Sequence, residues 1–191
     1  MKLVLATNNE DKVKEIKAIL GSKFEKIYTL KELNISHETV EDGKDFYENS
    51  YKKAHEICEI AKMPTLADDT GLCIDALDGA AGLYSARFAG LDHNYLKNNE
   101  KVIELLKGVK DRSCHFITVA TICFPDGKKL VAEGKAFGHI IEEFKEQKGF
   151  GYDPIFYVPE FGMTTAQMDP EQKNQISHRG KALRAMVEKL S

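Results

Sequence analysis

The stretch KLVLATNNEDKVKEIKAIL, residues 2–20, constrains the fold more than any other part of the chain. KLVLA is a short apolar run that reads as a buried strand, and Val13, Ile16, Ile19 and Leu20 then recur at the spacing of one helix face. Only a short polar turn separates the two patterns, so the chain opens strand, turn, helix. The alternation recurs downstream. Asp45 and Glu48 stand at N-cap and N3 spacing ahead of a stripe of Tyr47, Tyr51, Ala54, Cys58 and Ala61, which predicts a second helix from about Asp45 to Ala61. MPTLA follows as a short strand, and a third helix is expected to start near Asp92 with Leu96, Val102, Ile103 and Leu106 on its buried side. CHFITVATICF reads as a long strand, PDGK as a turn and KLVAEGKAFGHII as further strands. A last helix is expected over Ser177 to Leu190, with Ala182, Leu183, Met186, Val187 and Leu190 as its apolar face. Helices alternating with strands around an antiparallel-looking middle predict an α/β fold on a mixed sheet. No repeat, low-complexity tract or linker marks a boundary, which predicts one domain over residues 1–191.

At 191 residues and 42% hydrophobic content, the chain is long enough to bury a substantial core. The balance of 27 basic against 30 acidic residues, a net charge of −3, gives no general attraction to nucleic acid or anionic membrane. Any anion binding must therefore rest on a local site. No run approaches the roughly 20 apolar residues of a spanning helix, and MKLVLATNN is too short for a signal-peptide core, which predicts a cytoplasmic location. Cys58, Cys73, Cys114 and Cys123 sit singly within apolar patterns, without C-x-x-C pairing, and read as buried free thiols.

Several stretches carry polar groups in patterns that suggest chemistry. In ATNNEDK, Thr7, Asn8 and Asn9 form a tight turn at a helix start, where unpaired N–H groups and the helix dipole favour phosphate and Lys12 adds a charge. An ordinary N-cap turn fits the same residues equally well. LADDTGL sets Asp68 beside Asp69 and closes them with a Thr-Gly turn; neighbours on an extended strand face opposite ways, so the two carboxylates are expected to differ in role. Glu38, Glu41, Asp42, Glu48, Asn49, Lys52 and Lys53 surround the second helix. They read as a solvated face with a Glu48–Lys52 pair, or, at Glu41, as a carboxylate able to reach a cation. In GFGYDPIF, Gly149 and Gly151 let backbone approach a ligand, Phe150 offers a stacking face and Asp153 an acceptor for ring N–H groups. In KNQISHRGKA, Ser177 is the expected N-cap, which puts His178 and Arg179 where cations oppose the helix dipole and require a reason, such as an acceptor-rich ligand. His37, His55, His93, His115 and His139 lack ligand spacing or nearby carboxylates in the sequence and read as surface or core residues.

Together LATNNEDKVKEI, FYENSYKKA, LADDTGL, LYSARF, GFGYDPIF and ISHRGKAL occur in the order seen in the inosine triphosphate pyrophosphatase family, which the chain resembles over essentially its whole length. The resemblance implies a central mixed sheet with flanking helices forming two lobes around an active-site cleft. It also implies Mg²⁺-dependent hydrolysis of non-standard purine nucleoside triphosphates (ITP, dITP, XTP) to monophosphate and pyrophosphate, by a homodimer; the near-neutral charge and the lack of a spanning run predict no nucleic-acid or membrane partner. By the same resemblance Thr7, Asn8, Asn9, Glu10, Asp11 and Lys12 hold phosphates together with Lys53, and Asp69 is proton acceptor and metal contact. Glu41 is favoured over Glu38 as the second metal ligand, and Thr70, where serine is frequent, lies beside the substrate. Phe150, Gly151, Tyr152 and Asp153 enclose the base, and Lys173, His178 and Arg179 complete its pocket. The rival reading, from a different class, is a non-catalytic purine nucleotide sensor.

Overall fold

The computed structural model describes residues 1–90, 94–143 and 149–190. The opening pattern folds as strand β1 (Lys2–Leu5) and helix α1 (Glu10–Leu20). β1 is interior, parallel to both β2 (Lys26–Thr29) and β3 (Thr65–Ile74). Its two faces are therefore both covered, Leu3 and Leu5 in one apolar cluster and Val4 in another, which explains why KLVLA shows no polar alternation. Helix α2 (Phe46–Ala61) packs Ala54, Ile57 and Cys58 into the second of these clusters.

Strand β4 (Ala80–Ala81) pairs antiparallel with β3, and helix α3 (Tyr95–Leu105) follows. Then come the long strands β5 (Ser113–Cys123) and β6 (Lys129–Ile140), the short β7 (Phe156–Val158) and β8 (Met163–Thr164), and helices α4 (Pro170–Ile176) and α5 (His178–Leu190). Hydrogen-bonded neighbours run β2-β1-β3-β5-β6-β7-β8 with β4 on β3, a sheet that mixes parallel and antiparallel pairs as expected. β6 alternates buried Ala132, Gly134, Ala136, Gly138 and Ile140 with exposed Glu133, Lys135, Phe137 and His139, the mark of a strand covered on one face.

The chain divides into two compact units that share β3, β5 and β6. The first comprises Met1–Asp69, Thr118–Gly134 and Ser177–Ser191; the second, Thr70–Ile117 and Lys135–Ile176. In the first, Ala182, Leu183 and Met186 of α5 join Leu3, Leu5, Ile16 and Leu20. The core of the second gathers Leu72, Ile74, Val102, Leu106, Phe116, Ile140, Ile155 and Phe156.

Several expectations are corrected. The Thr-Gly pair after Asp69 is not a turn: Thr70 and Gly71 lie inside β3, which runs for ten residues because strand pairing on either side outweighs the turn preference of glycine. Val102 and Leu106 are buried as expected, but Leu96 is 50% exposed and Asn98 and Asn99 are buried on α3 instead. The expected start of that helix near Asp92, and His93, lie outside the described residues. Glu48 pairs with Lys44 and Lys52 with Asp42, so the anticipated Glu48–Lys52 pair gives way to partners on the preceding turn. His37 does have a carboxylate, with its Nε2 2.7 Å from Glu56. The cysteines are free, but Cys73 is only half-buried.

Candidate active site

The candidate side chains gather in two groups, one in each unit. In the first unit, Asn9 caps α1, its Oδ1 accepting from the N–H groups of Asp11 and Lys12 at 3.0 and 3.2 Å. Asn9 N–H in turn donates to Thr7 Oγ1. The turn is as tight as the sequence indicated, but those backbone donors are occupied by the cap rather than unpaired. Asn8 and Glu10 are exposed, Asp11 lies 3.7 Å from Lys14, and Lys12 reaches toward Asp68.

Lys12 Nζ lies 3.1 Å from Asp68 Oδ2, and the same carboxylate oxygen accepts from Arg179 Nε at 3.3 Å and Nη2 at 3.2 Å. The far side of the guanidinium donates through Nη1 to Glu15 at 2.5 Å. Burial would raise the Asp68 carboxyl, yet Lys12, Arg179 and Lys53 outweigh it and hold the group far below the usual carboxylate range. Arg179 is 2% exposed and is held firmly charged, its burial offset by Asp68 and Glu15. Ser177 caps α5 as expected, its Oγ accepting from Gly180 N–H. The cation in that first turn thus has its reason in two carboxylates of the protein. His178, beside it, is buried.

Asp69 faces the other way. Its Oδ2 accepts from Asn49 Nδ2 at 3.0 Å and its Oδ1 lies 3.7 Å from Lys53 Nζ. Lys53 Nζ also donates to Glu41 Oε2 at 2.8 Å and to the Asp68 carbonyl at 2.9 Å. Burial pushes the Asp69 carboxyl above its ordinary value, with Lys53 and Lys12 pulling against it and Glu41 adding to the rise. Lys53 is raised: burial alone would lower it, but Asp69, Glu41 and Asp68 prevail. Lys12 is lowered, its burial outweighing Asp68, with Lys53 and Arg179 adding to the effect. Adjacent residues of one strand therefore sit in opposite environments, Asp68 held ionised and Asp69 biased toward its proton. Both Glu38 and Glu41 are exposed, and it is Glu41 that reaches Lys53. Among the described residues no three His, Cys, Asp or Glu side chains gather as a metal cluster.

In the second unit, Asp153 anchors the GFGYD loop. Its Oδ2 accepts from Phe150 N–H at 3.1 Å and from Lys173 Nζ at 2.6 Å, and its Oδ1 from Thr165 Oγ1 at 2.9 Å. Gly149 has φ +80°, and a Cβ there would meet Asp153 Oδ2 at 2.7 Å, so only glycine fits. Lys173 Nζ lies 4.6 Å from the Phe150 ring centroid, and Tyr95 lies 6.1 Å away. Asn99, buried on α3, donates to the Gly151 carbonyl at 3.1 Å. Two expectations shift here. The Asp153 carboxylate braces the loop, and Tyr152 turns into the core, its hydroxyl donating to the Ser85 carbonyl at 2.6 Å. Thr70 is half-buried on β3.

Asn49, Glu15 and Asn99 were not singled out for the site. Asn49 and Glu15 carry a faint signal: Asn49 is four residues before Lys53 and Glu15 three after Lys12, spacings that share a helix face.

The Ham1 family model matches residues 3–189. A dITP/XTP pyrophosphatase of Clostridium perfringens is 48% identical, the alignment covering 99% of this chain and 97% of the relative. One of Desulforamulus reducens is 47% identical over 100% of this chain and 96% of its own length. Among solved structures, the Ham1 protein of Staphylococcus aureus aligns with a TM-score of 0.88 at 36% identity, covering 100% of this chain and 98% of that one. A HAM1 protein from Coxiella burnetii gives 0.89 at 36% identity with the same coverage. With the family match spanning both units and every motif described above, the chain belongs to the Ham1 family.

Proposed function

We propose that this chain is an Mg²⁺-dependent nucleoside triphosphate pyrophosphatase that hydrolyses non-standard purine nucleotides (ITP, dITP and XTP) to monophosphate and pyrophosphate, as a cytoplasmic homodimer. The observation that carries the reading is the divided aspartate pair: Asp68 fixed as an anion between Lys12 and Arg179, and Asp69 with its carboxyl raised beside Lys53 and Glu41. The dITP/XTP pyrophosphatases among its relatives support it.

Hydrolysis between the α and β phosphates needs a water in line with the leaving pyrophosphate, a base for its proton, and positive charge against the departing oxygens. Asp69 is the base. A carboxyl raised by burial takes a proton from water more readily than an ordinary aspartate, while Asn49 and Lys53 fix the orientation of its two oxygens. Lys12 and Lys53 neutralise the phosphate chain, with Thr7 to Asp11 shaping the turn from which Lys12 reaches. Asp68 holds Lys12 in place through an ion pair that burial protects from solvent screening.

The donor set suits Mg²⁺. Asp69 and Glu41 offer hard oxygen ligands that converge on Lys53, and Mg²⁺ takes one or two carboxylates and completes its shell with phosphates and water. When bound, the ion offsets the repulsion between these carboxylates and the phosphates.

Phe150 offers its face to the purine, and the backbone of Gly151 to Asp153 lines the base, with Lys173 as the charged contact. A 6-keto oxygen accepts from such donors, whereas the 6-amino group of adenine would leave donors facing donors, at about 1–3 kcal/mol for each buried group left unpaired.

Turnover of ITP, dITP, XTP, GTP and ATP, with and without Mg²⁺, tests the proposal. The expected first product is pyrophosphate, from the non-standard nucleotides and only with the metal; orthophosphate as first product would overturn it. Asp69→Asn should lose about 10²–10⁴-fold in kcat while still binding nucleotide, a loss that a non-catalytic sensor would not show.

A further inference from the structure

Asn49 lies on α2 among residues whose sequence suggests a solvated face, yet it is 4% exposed. Its amide is used at both ends. Nδ2 donates to Asp69 Oδ2 at 3.0 Å, and Oδ1 accepts from the backbone N–H of Gly43 at 2.8 Å. The orientation of the amide is therefore unambiguous, because a flip would set its oxygen against the carboxylate and its N–H₂ against the Gly43 N–H. Gly43 is two residues beyond Glu41, and a Cβ on Gly43 would meet Asn49 Oδ1 at 2.6 Å, so the approach of this loop to the amide requires glycine. One turn further along the same helix, Lys53 bridges Glu41 at 2.8 Å and Asp69 at 3.7 Å. Asp69 is thus tied to the Glu41 segment twice, to the Glu41 carboxylate through the Lys53 charge and to the Gly43 backbone through a neutral amide.

We propose that Asn49 is a positioning residue that sets the orientation of the Asp69 carboxylate and the placement of the Glu41 loop against it. The inference rests on the reading of Asp69 and Glu41 given above. A neutral donor is the suitable choice for this task. It fixes one oxygen of Asp69 without adding a charge that would compete with a cation, and it leaves Oδ1 directed toward the Lys53 side. Serine or alanine at this position would leave the Asp69 oxygen without this donor, and aspartate would set a second carboxylate against it.

Three variants of the full chain test this. Asn49→Ala removes both contacts, Asn49→Asp keeps an acceptor for Gly43 and loses the donor to Asp69, and Gly43→Ala presses a Cβ against the amide and the first turn of α2 while leaving Asp69 and Glu41 in place in the sequence. Each is expected to lower kcat for dITP by about 10- to 100-fold, the cost of a displaced reacting group, with KM moving less than about threefold. Mn²⁺ affinity of the nucleotide-free protein, read from the electron paramagnetic resonance of free Mn²⁺, is expected to fall in Asn49→Ala. All comparisons are made well below each variant's melting temperature, where a purely structural role would leave kcat intact. Should Asn49→Ala fail to fold, Asn49→Asp and Gly43→Ala carry the test on both readouts. A folded Asn49→Asp with kcat within about twofold of wild type, or unchanged Mn²⁺ affinity, overturns the inference. Asp69→Asn shows which reading has failed: if it is inactive while Asn49→Asp is active, only the role of Asn49 falls. If Asp69→Asn turns over normally, the assignment of Asp69 falls and takes this inference with it.

Discussion

Replacing Asp68 with asparagine keeps the shape of a side chain that is 1% exposed and removes the one negative charge shared by Lys12 and Arg179. Breaking a buried ion pair by removing one partner costs about 3–5 kcal/mol, because the other charge stays buried. The lower end applies here. Arg179 keeps Glu15 at 2.5 Å, and the Lys12 side chain, 17% exposed, can turn partly toward solvent. A loss of about 3 kcal/mol should lower the melting temperature of a chain of this length by roughly 6–12 °C. The sign with pH follows from the direction of each shift. Asp68 is held below its ordinary 3.8, so its contribution is complete above that value and is lost only as pH falls through the still lower native value. Asp69 is raised from 3.8, so its contribution is present below that value and is lost as pH rises through the native one. At pH 7 Asp68→Asn should therefore melt well below wild type, and Asp69→Asn at or above it. Thermal denaturation at pH 7 followed by circular dichroism, with a double-mutant cycle between Asp68→Asn and Arg179→Met, provides the assay. Equal shifts for the two aspartates, or additivity of Asp68 and Arg179 within about 0.5 kcal/mol, would refute the division of the pair.

Two further outcomes follow from close contacts. Gly134→Ala would place a Cβ 2.2 Å from the His178 carbonyl oxygen and 2.5 Å from Ala182 N, both backbone atoms of α5 that cannot step aside. A loss of about 1–3 kcal/mol is expected, read as a lowered urea midpoint at unchanged slope. Lys173→Ala removes the 2.6 Å contact to Asp153 and the cation over Phe150, so KM for dITP should rise about tenfold with kcat changing less; a loss confined to kcat would contradict a role in base binding.

The sequence read most truly where physical rules are local. β1, α1, α2 and α5 fell within a residue or two of their patterns, because apolar period and capping chemistry act over a single turn or strand. The rule that neighbours on a strand diverge anticipated different surroundings for Asp68 and Asp69. Glycine misled at Gly71, where pairing of β3 decided the conformation, and Leu96 misled because α3 buries Asn98 and Asn99 beside the expected Val102.

By itself, then, the sequence determined the alternation of strands and helices and the family. The tertiary structure decided the partners. Arg179 meets Asp68 across 111 residues of chain, and Asn49 meets Asp69 across 20, separations that no spacing rule encodes. It also decided the charge state of each group, since whether an aspartate is held ionised or pushed toward its proton depends on how much water the fold removes and which charges it brings in exchange.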